Sequence, residues 1–136
     1  MLIVDTGPFV AASDTADPDH ASCRELLETA DGPLVTTALV ATEAGWLIRR
    51  QLGIAAETLF YGEIAASGVW VEDLTTADWE RVVELLNQYA DLNLDAADAS
   101  VIAIAERLNQ PQVATLDQRD YRVVRPRHVS AFDLLP

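Results

Sequence analysis

Four carboxylates of this 136-residue chain occupy positions at which they could act together. Asp5 follows the run Leu-Ile-Val and Asp117 follows Val-Ala-Thr-Leu, so each comes directly after an apolar segment typical of a buried strand. Glu43 and Asp98 belong to the apolar faces of predicted helices. Open parallel sheets bind ligands at the carboxyl ends of their strands, so these acids can converge at one edge of a sheet.

Glu43 stands inside the apolar stripe of its helix. Leu39 and Val40 precede it, and Trp46 and Leu47 follow it, at the spacings of three and four that share a helix face. Burying an unpaired carboxylate costs free energy, so this side chain must be neutralised, paired with an arginine or bound to a cation. The spacing alone leaves both the arginine pair and the cation open.

Asp98 also begins an apolar stripe, because apolar residues lie three, four and seven positions after it. The spacing Asp95-x-x-Asp98 equally resembles a capping box, in which Asp95 caps the helix and Asp98 reaches back to it. Asp5 and Asp117 could likewise be ordinary turn or cap residues. Each acid taken alone therefore has a structural alternative, and only the four together indicate a site.

The charged residues narrow the chemistry that such a site can perform. All nine basic residues are arginine, and 22 acidic residues give a formal charge of −13, which excludes binding nucleic acid through overall basic character. The absence of lysine disfavours Walker-type phosphate loops, pyridoxal enzymes and phospho-aspartate folds. Without lysine to neutralise the acids, a hard divalent cation is the expected partner, and oxygen ligands favour Mg²⁺, with Mn²⁺ as a substitute, and phosphoryl chemistry.

The predicted elements alternate along the chain and would bring these acids together. Strands are predicted at 2–4, 34–36, 69–71 and 113–116, with a shorter fifth at 122–124. Helices are predicted from Pro8, over 21–29, 38–51 and 55–67, from a Thr75 or Thr76 cap to Tyr89, and over 95–108. This pattern predicts an α/β fold, with a short parallel sheet of four to five strands between helices (an α/β/α sandwich) in one domain over residues 1–136.

Few other reactive side chains are present. A single cysteine, Cys23, cannot form an internal disulfide, and with two histidines it cannot complete a closed zinc site. The amino terminus lacks the basic flank of a signal peptide, and no run approaches the ~18 apolar residues of a membrane span. We therefore expect a cytoplasmic protein without a membrane partner.

In its order of motifs the chain resembles the PIN-domain ribonucleases, specifically the VapC-type toxins of bacterial type II toxin–antitoxin systems. The resemblance runs nearly end to end. It rests on Val-Asp-Thr-Gly-Pro at 4–8, the loop 17–20 with Cys23, Glu43 in its apolar helix, Asp-Ala-Ser-Val-Ile-Ala at 98–103, Ala-Thr-Leu-Asp at 114–117 and Asp-Tyr-Arg-Val-Val-Arg at 120–125.

The resemblance implies a PIN-like fold and a metal-dependent endoribonuclease neutralised by a cognate VapB-type antitoxin. It makes Asp5 and Asp98 the principal Mg²⁺ ligands, with Glu43 completing the acidic pocket directly or through water. By the same resemblance, Asp117 helps to hold a metal ion or to orient the attacking water. Thr6 and Thr115 match positions at which the family commonly has a hydroxyl beside the acids, and turn capping is the alternative for both.

Two surfaces suggest partners. Four arginines lie between 119 and 127, next to Asp117, and of these we expect Arg119 and Arg122 to contact RNA phosphates; ordinary ion pairing is the alternative. Trp46, Leu59 and Phe60 lie on the two helices between 38 and 67 and exceed what one core stripe requires. In VapC-like proteins this helical pair is similar to the surface that takes up antitoxin and supports homodimers, whereas core packing is the simpler reading.

A function of another class is compatible with the same residues. Toxin and antitoxin together could act mainly as an autorepressor on operator DNA, with the acidic pocket filled by an antitoxin arginine. The chain has no basic DNA-reading motif of its own, so operator DNA would be bound only through the antitoxin. Which RNA is cut is not encoded in composition, because unpaired-base contacts and loop shape decide it.

Overall fold

The computed structural model describes all residues from Met1 to Pro136, and its strands form one sheet. The strands are parallel throughout, and the sheet has the order β3-β2-β1-β4-β5. They are β1 (Leu2–Val4), β2 (Leu34–Thr37), β3 (Val69–Glu72), β4 (Gln112–Ala114) and β5 (Asp133–Leu135). The predicted α/β class with a short parallel sheet is confirmed.

Seven helices flank this sheet. They are α1 (Thr6–Ser13), α2 (His20–Thr29), α3 (Ala38–Leu52), α4 (Ile54–Ala65), α5 (Thr76–Gln88), α6 (Ala96–Arg107) and α7 (Gln118–Val123). From β1 the chain passes through α1 to α4 toward β3, and then returns through α5 to α7 toward β5. Since such crossovers are right-handed, the two groups of helices cover opposite faces of the sheet.

The direction of strand order reverses between β1 and β4. These strands are neighbours, with Ile3 paired with Val113 and Val4 with Ala114. A crevice outside the carboxyl ends of the strands at such a reversal is the usual ligand site of an open parallel sheet. Asp5 follows β1 and Asp117 follows β4, so both acids lie at this crevice.

Local sequence explains where the main helices begin. Thr37 caps α3 by accepting a hydrogen bond from the Val40 amide, and Thr75 and Asp95 begin α5 and α6 with reciprocal capping boxes. Thr36 and Thr37 are both possible caps of α3 by sequence, as Thr75 and Thr76 are of α5, and the structure uses Thr37 and Thr75. Helix α6 is apolar almost all round and crosses the core, which explains its alanine-rich sequence.

The predicted strand at 122–124 is wrong. Residues 118–123 form helix α7, and the fifth strand is β5, which pairs in parallel with β4. The run Arg-Val-Val has strand-like composition, but Tyr121 and Val124 are both buried and lie three residues apart, which is helical spacing. Tertiary burial of these two side chains therefore overrides the local strand preference.

The helical spacing of Trp79, Val82, Val83, Leu86 and Tyr89 predicts one apolar stripe on α5, and this prediction is wrong in part. Val82 is buried, but Trp79 and Val83 are 47% and 58% exposed. The buried face instead includes Asp78 and Arg81, which make ion pairs with residues of α6. Buried ion pairs carry no hydrophobic signal, so apolar spacing places this face incorrectly. No helix of the structure is long and apolar enough to cross a membrane.

Candidate active site

Asp5 is the most deeply buried of the predicted acids, with 4% of its surface exposed. It occupies the N-cap position of α1, yet its side chain makes no capping hydrogen bond. Its Oδ2 accepts a 2.8 Å hydrogen bond from the Thr115 hydroxyl, whereas its Oδ1 is buried without any partner. Because buried carboxylate oxygens are normally satisfied, the free Oδ1 is the feature expected of a cation ligand.

Thr115 joins the two strand-end acids. Its hydroxyl donates to Asp5 and accepts a 3.1 Å hydrogen bond from the backbone amide of Asp117. The supporting role and the turn-capping role that were alternatives for Thr115 are thus both present in one fully buried hydroxyl. Asp117 itself is exposed, and its carboxylate makes no hydrogen bond or ion pair.

Glu43 reaches the same region from α3. The Thr6 hydroxyl donates a 2.5 Å hydrogen bond to its Oε2, and Thr6 is the residue after Asp5. Glu43 is half-buried and forms no ion pair with an arginine, so that alternative is not found. The hydroxyl of Thr6, the residue after Asp5, therefore holds the Glu43 carboxylate in place.

Asp98 combines two roles on α6. Its Oδ2 accepts a 3.0 Å hydrogen bond from the Asp95 amide, and Asp95 Oδ1 accepts one of the same length from the Asp98 amide. The predicted capping box is confirmed, with Asp95 as the cap. The second oxygen of Asp98 makes no hydrogen bond within the protein, so capping leaves one oxygen available for a ligand.

The pKa values of the site acids are raised because the acids are buried close together and have no positive neighbour. Burial, together with the charge of Glu43, raises the pKa of Asp5 to about 6, although the hydrogen bonds from Thr115 and Thr6 lower it. Burial, together with the charges of Asp5, Asp95 and Asp117, raises the pKa of Asp98 to about 8. The negative charges of these acids repel one another across the crevice, and no arginine forms an ion pair with them.

Tyr121 also belongs to this region and has no counterpart in the sequence prediction. It is 1% exposed, and its hydroxyl donates a long 3.5 Å hydrogen bond to the backbone carbonyl of Asp98. Burial and the neighbouring acids raise its pKa well above the usual value, so it stays neutral. The sequence signal for Tyr121 is its spacing of three residues from Val124, which is typical of two side chains buried on one helical face.

The acids fit a cation that keeps part of its water shell. No three His, Cys, Asp or Glu side chains form a ready-made metal-binding group in this arrangement. Mg²⁺ is commonly bound through one or two carboxylates while retaining several waters, so it does not need such a closed group. The unpartnered Asp5 oxygen, the free Asp98 oxygen and the oxygen-only donor set fit Mg²⁺ or Mn²⁺.

The arginines divide into two groups. Five form ion pairs with acidic side chains: Arg24, Arg49, Arg81, Arg107 and Arg127. Of the four without an acidic partner, Arg50 stacks on Trp46, and the others are Arg119, Arg122 and Arg125. Three arginines free of acidic partners therefore lie on and just after α7, which begins directly after Asp117.

The three residues of the predicted partner surface, Trp46, Leu59 and Phe60, do not lie on one surface in the structure. Leu59 and Phe60 line a cavity of about 620 Å³ that α1, α2 and α4 enclose together with β2 and β3. Leu59 is 73% exposed there, whereas Phe60 is 8% exposed and packs edge-to-face on Phe9. Trp46 does not line this cavity. It lies on α3 beneath the Arg50 guanidinium and is 56% exposed.

A doubly wound parallel sheet with acids at its switch point is the arrangement of an α/β domain that binds a ligand at that edge of the sheet. The PIN domain family matches residues 2–126, and the chain belongs to this family. Ribonuclease VapC26 of Mycobacterium tuberculosis (strain ATCC 25618 / H37Rv) is 28% identical over 135 residues, which cover 99% of this chain and 100% of the relative.

A solved structure supports the same fold. The crystal structure of Mycobacterium tuberculosis VapC20, a sarcin–ricin loop cleaving toxin, matches with a TM-score of 0.77. The match covers 83% of this chain and 87% of that one at 21% sequence identity. The resemblance to VapC-type PIN-domain proteins is thereby confirmed.

Proposed function

We propose that this protein is a Mg²⁺-dependent endoribonuclease toxin, a single PIN-like domain over residues 1–136, that works in the cytoplasm and is neutralised by a VapB-type antitoxin. The observation that carries the proposal is the buried Oδ1 of Asp5, which has no hydrogen-bond partner and stands among other acids. Such an oxygen is costly unless a cation satisfies it. The names of its relatives support ribonuclease activity.

As the family resemblance implies, Asp5 and Asp98 would be the principal ligands, and each has one oxygen that makes no hydrogen bond within the protein. Glu43 would complete the pocket directly or through water, and Asp117 would help to hold a metal ion or to orient the attacking water. When bound, Mg²⁺ or Mn²⁺ activates water as a nucleophile and offsets the charge that develops on a phosphodiester. As the family resemblance implies, cleavage would leave a 5′-phosphate and a 3′-hydroxyl.

The remaining residues of the site would hold these acids in place. Thr115 fixes Asp5 by its hydroxyl and leaves the other oxygen of Asp5 without a hydrogen bond, while Thr6 fixes Glu43. Asp117 is exposed, and its amide is held by Thr115, which supports a role for its free carboxylate in orienting the attacking water. Hydrogen-bonded supporting residues of this kind commonly tune the ligands of a metal site.

RNA would be recruited by local rather than overall charge. Arg119 and Arg122 carry no ion pair and lie on the helix that follows Asp117, and Arg125 lies just beyond it. Exposed guanidinium groups bind phosphate oxygens in a bidentate manner. A protein with a net charge of −13 could therefore still hold an RNA backbone beside its acidic site.

The cavity lined by Leu59 and Phe60 supports the proposed antitoxin contact. It is mainly apolar, and Arg24, Glu28 and Glu63 stand among its lining residues. These features suit an amphipathic partner segment that inserts apolar side chains and pairs charges at the edge. Trp46 lies outside the cavity and is left for the proposed homodimer contact, and any operator DNA would be bound through the antitoxin.

The proposed function is tested by incubating total RNA with purified, antitoxin-free protein and Mg²⁺, and sequencing the new ends. We expect discrete cuts with 5′-phosphates, lost with EDTA and with Asp5→Asn. Folded protein that makes no such cuts, but binds operator DNA when its antitoxin is added, would contradict the enzyme and favour the autorepressor.

A further inference from the structure

A second cavity opens at the carboxyl edge of β2 and β3, with a volume of about 430 Å³. Its lining residues come from the start of α3, the end of β3 with the segment that follows it, and the first turn of α5: Ala38, Leu39, Glu72, Asp73, Leu74 and Trp79. Because all strands of the sheet are parallel, this is the same sheet edge that carries the acidic site.

The cavity and the acidic site are adjacent. Leu39 lines the cavity, and Glu43, which belongs to the acidic site, lies four residues later on α3. Side chains four apart on a helix are neighbours, with about 5–6 Å between their Cβ atoms. A single-stranded chain cut beside Glu43 would thus bring a neighbouring nucleotide to this cavity.

Trp79 supplies an aromatic surface on the cavity wall. Its side chain is 47% exposed, although its helix buries Val82 and Leu85. Its indole N–H makes no hydrogen bond in the structure, so the ring is held neither by the core nor by a polar partner. Exposed aromatic rings of this kind are the surfaces on which proteins stack unpaired bases.

The two acids of the lining differ in their availability. Glu72 is paired with Arg107 at 3.0 Å, and a second nitrogen of that guanidinium donates to the backbone carbonyl of Asp73 at 3.1 Å. The Asp73 carboxylate makes no hydrogen bond or ion pair and is exposed. It repels phosphate and accepts only from N–H or O–H donors, so it favours the edge of a base.

We propose that this cavity binds an unpaired guanine of the RNA substrate, next to the cleaved bond. The base would stack on Trp79 and donate its N1–H and 2-amino hydrogens to the two oxygens of Asp73. Guanine is favoured over the other bases because it alone presents two adjacent donors on its Watson–Crick edge. The inference rests on the proposed ribonuclease function and specifies its substrate.

A fluorescence experiment tests base binding without cleavage. Trp46→Phe and Trp70→Phe leave Trp79 as the only tryptophan, and Asp5→Asn prevents turnover. The titrant is a ten-nucleotide RNA with one guanine among uridines. We expect saturable quenching, about 10-fold weaker binding when inosine, which lacks the 2-amino group, replaces guanine, and loss of that difference in Asp73→Asn.

The matched control carries Trp46→Phe and Trp79→Phe and keeps Trp70, which is 53% exposed on β3 and does not line the cavity. Equal quenching of the two tryptophans, or equal affinity for the guanine and inosine RNAs, would overturn the proposal.

Cleavage kinetics separate the cavity from the proposed function. Trp79→Ala should lower kcat/KM on guanine-containing RNA about 10-fold, whereas Trp79→Phe and Trp70→Ala should keep most of it. If the wild-type protein cleaves RNA and Trp79→Ala and Trp70→Ala lower kcat/KM equally, the result would contradict the guanine site but not the ribonuclease function. A folded wild-type protein that cleaves no RNA would contradict the ribonuclease function, and the proposal with it.

Discussion

The Thr115 hydroxyl donates a 2.8 Å hydrogen bond to Oδ2 of Asp5, across 110 residues of sequence. The contact exists because β1 and β4 are neighbours with Val4 opposite Ala114, which brings the residues after the two strands together. The same hydroxyl accepts from the Asp117 amide, so one buried group sets the geometry of both strand-end acids. The other oxygen of Asp5 is left for a ligand.

Replacing Thr115 by Val should impair the site while keeping the fold. The methyl group preserves volume, but Asp5 loses its only side-chain donor, and we expect activity to fall roughly 10–100-fold, as for other residues that support metal ligands. Thr115→Ser should retain most activity. The measurement is kcat/KM on a defined RNA, with Thr42→Val, at an exposed position of α3, as the control. Equal activity of the Val and Ser variants would contradict the assigned role.

In EDTA, the stability of the protein should fall as pH rises from about 4 to 8. The pKa of Asp5 is about 6 in the folded protein and 3.8 ordinarily, so the folded state binds more protons between these values. Stability is then lost with rising pH, by about 3 kcal/mol for Asp5 alone. Asp98, with a pKa of about 8, extends the fall upward.

Urea unfolding at several pH values measures this dependence. Asp5→Asn should be more stable than wild type at pH 8 and should show a shallower fall, because the amide has no charge to bury. Asp91→Asn, at an exposed position, should follow wild type. Parallel curves for wild type and Asp5→Asn would mean that burial does not raise the pKa of Asp5.

Neutralising Arg119 and Arg122 together should weaken RNA binding and its dependence on salt. Each lost phosphate contact should reduce the slope of log K against log salt by about 0.7 for a single strand. The control is Arg24→Gln, because Arg24 is exposed but already paired with Glu28. An unchanged slope in the double variant would remove these arginines from the RNA interface.

The ion pair between Arg81 and Glu106 should matter for stability but not for the chemistry. Arg81 is buried and makes two hydrogen bonds, of 2.8 and 2.9 Å, to the Glu106 carboxylate. Arg81→Met leaves that largely buried carboxylate without a positive partner, with only the Arg127 amide as donor, so we expect a loss of about 3–5 kcal/mol in the free energy of unfolding.

The comparison variant is Arg24→Met, whose exposed pair should contribute at most ~1 kcal/mol. Below its melting temperature, Arg81→Met should keep its affinity for Mg²⁺. A loss of stability no larger than that of Arg24→Met would show that the buried pair contributes little.

The sequence predicts those features of the fold and of the site that depend on the local pattern of apolar residues. Apolar runs ending in Asp5 and Asp117 identify strand ends, and helical spacing turns Glu43 and Asp98 toward the sheet. Thr115 is recognisable only by resemblance, because its contact with Asp5 depends on which strands are neighbours. Strand order is a tertiary property that no local run encodes.

The errors have physical causes of the same kind. Residues 122–124 have strand-like composition, but 122 and 123 end a helix that buries Tyr121. Trp79 has the spacing of a core residue, but the buried face of its helix carries an ion pair instead. Both segments lie near the site. In both, ion pairs or tertiary contacts decide which side chains are buried. Apolar spacing is least reliable where polar groups are buried.

The most direct test of the central claim is RNA cleavage by antitoxin-free protein as Mg²⁺ is titrated, for wild type, Asp5→Asn and the control Asp91→Asn. We predict saturable activation of wild type and Asp91→Asn, and no activation of Asp5→Asn at any Mg²⁺ concentration. Equal activation of Asp5→Asn and wild type would contradict the claim that the unpartnered oxygen of Asp5 holds the cation on which cleavage depends.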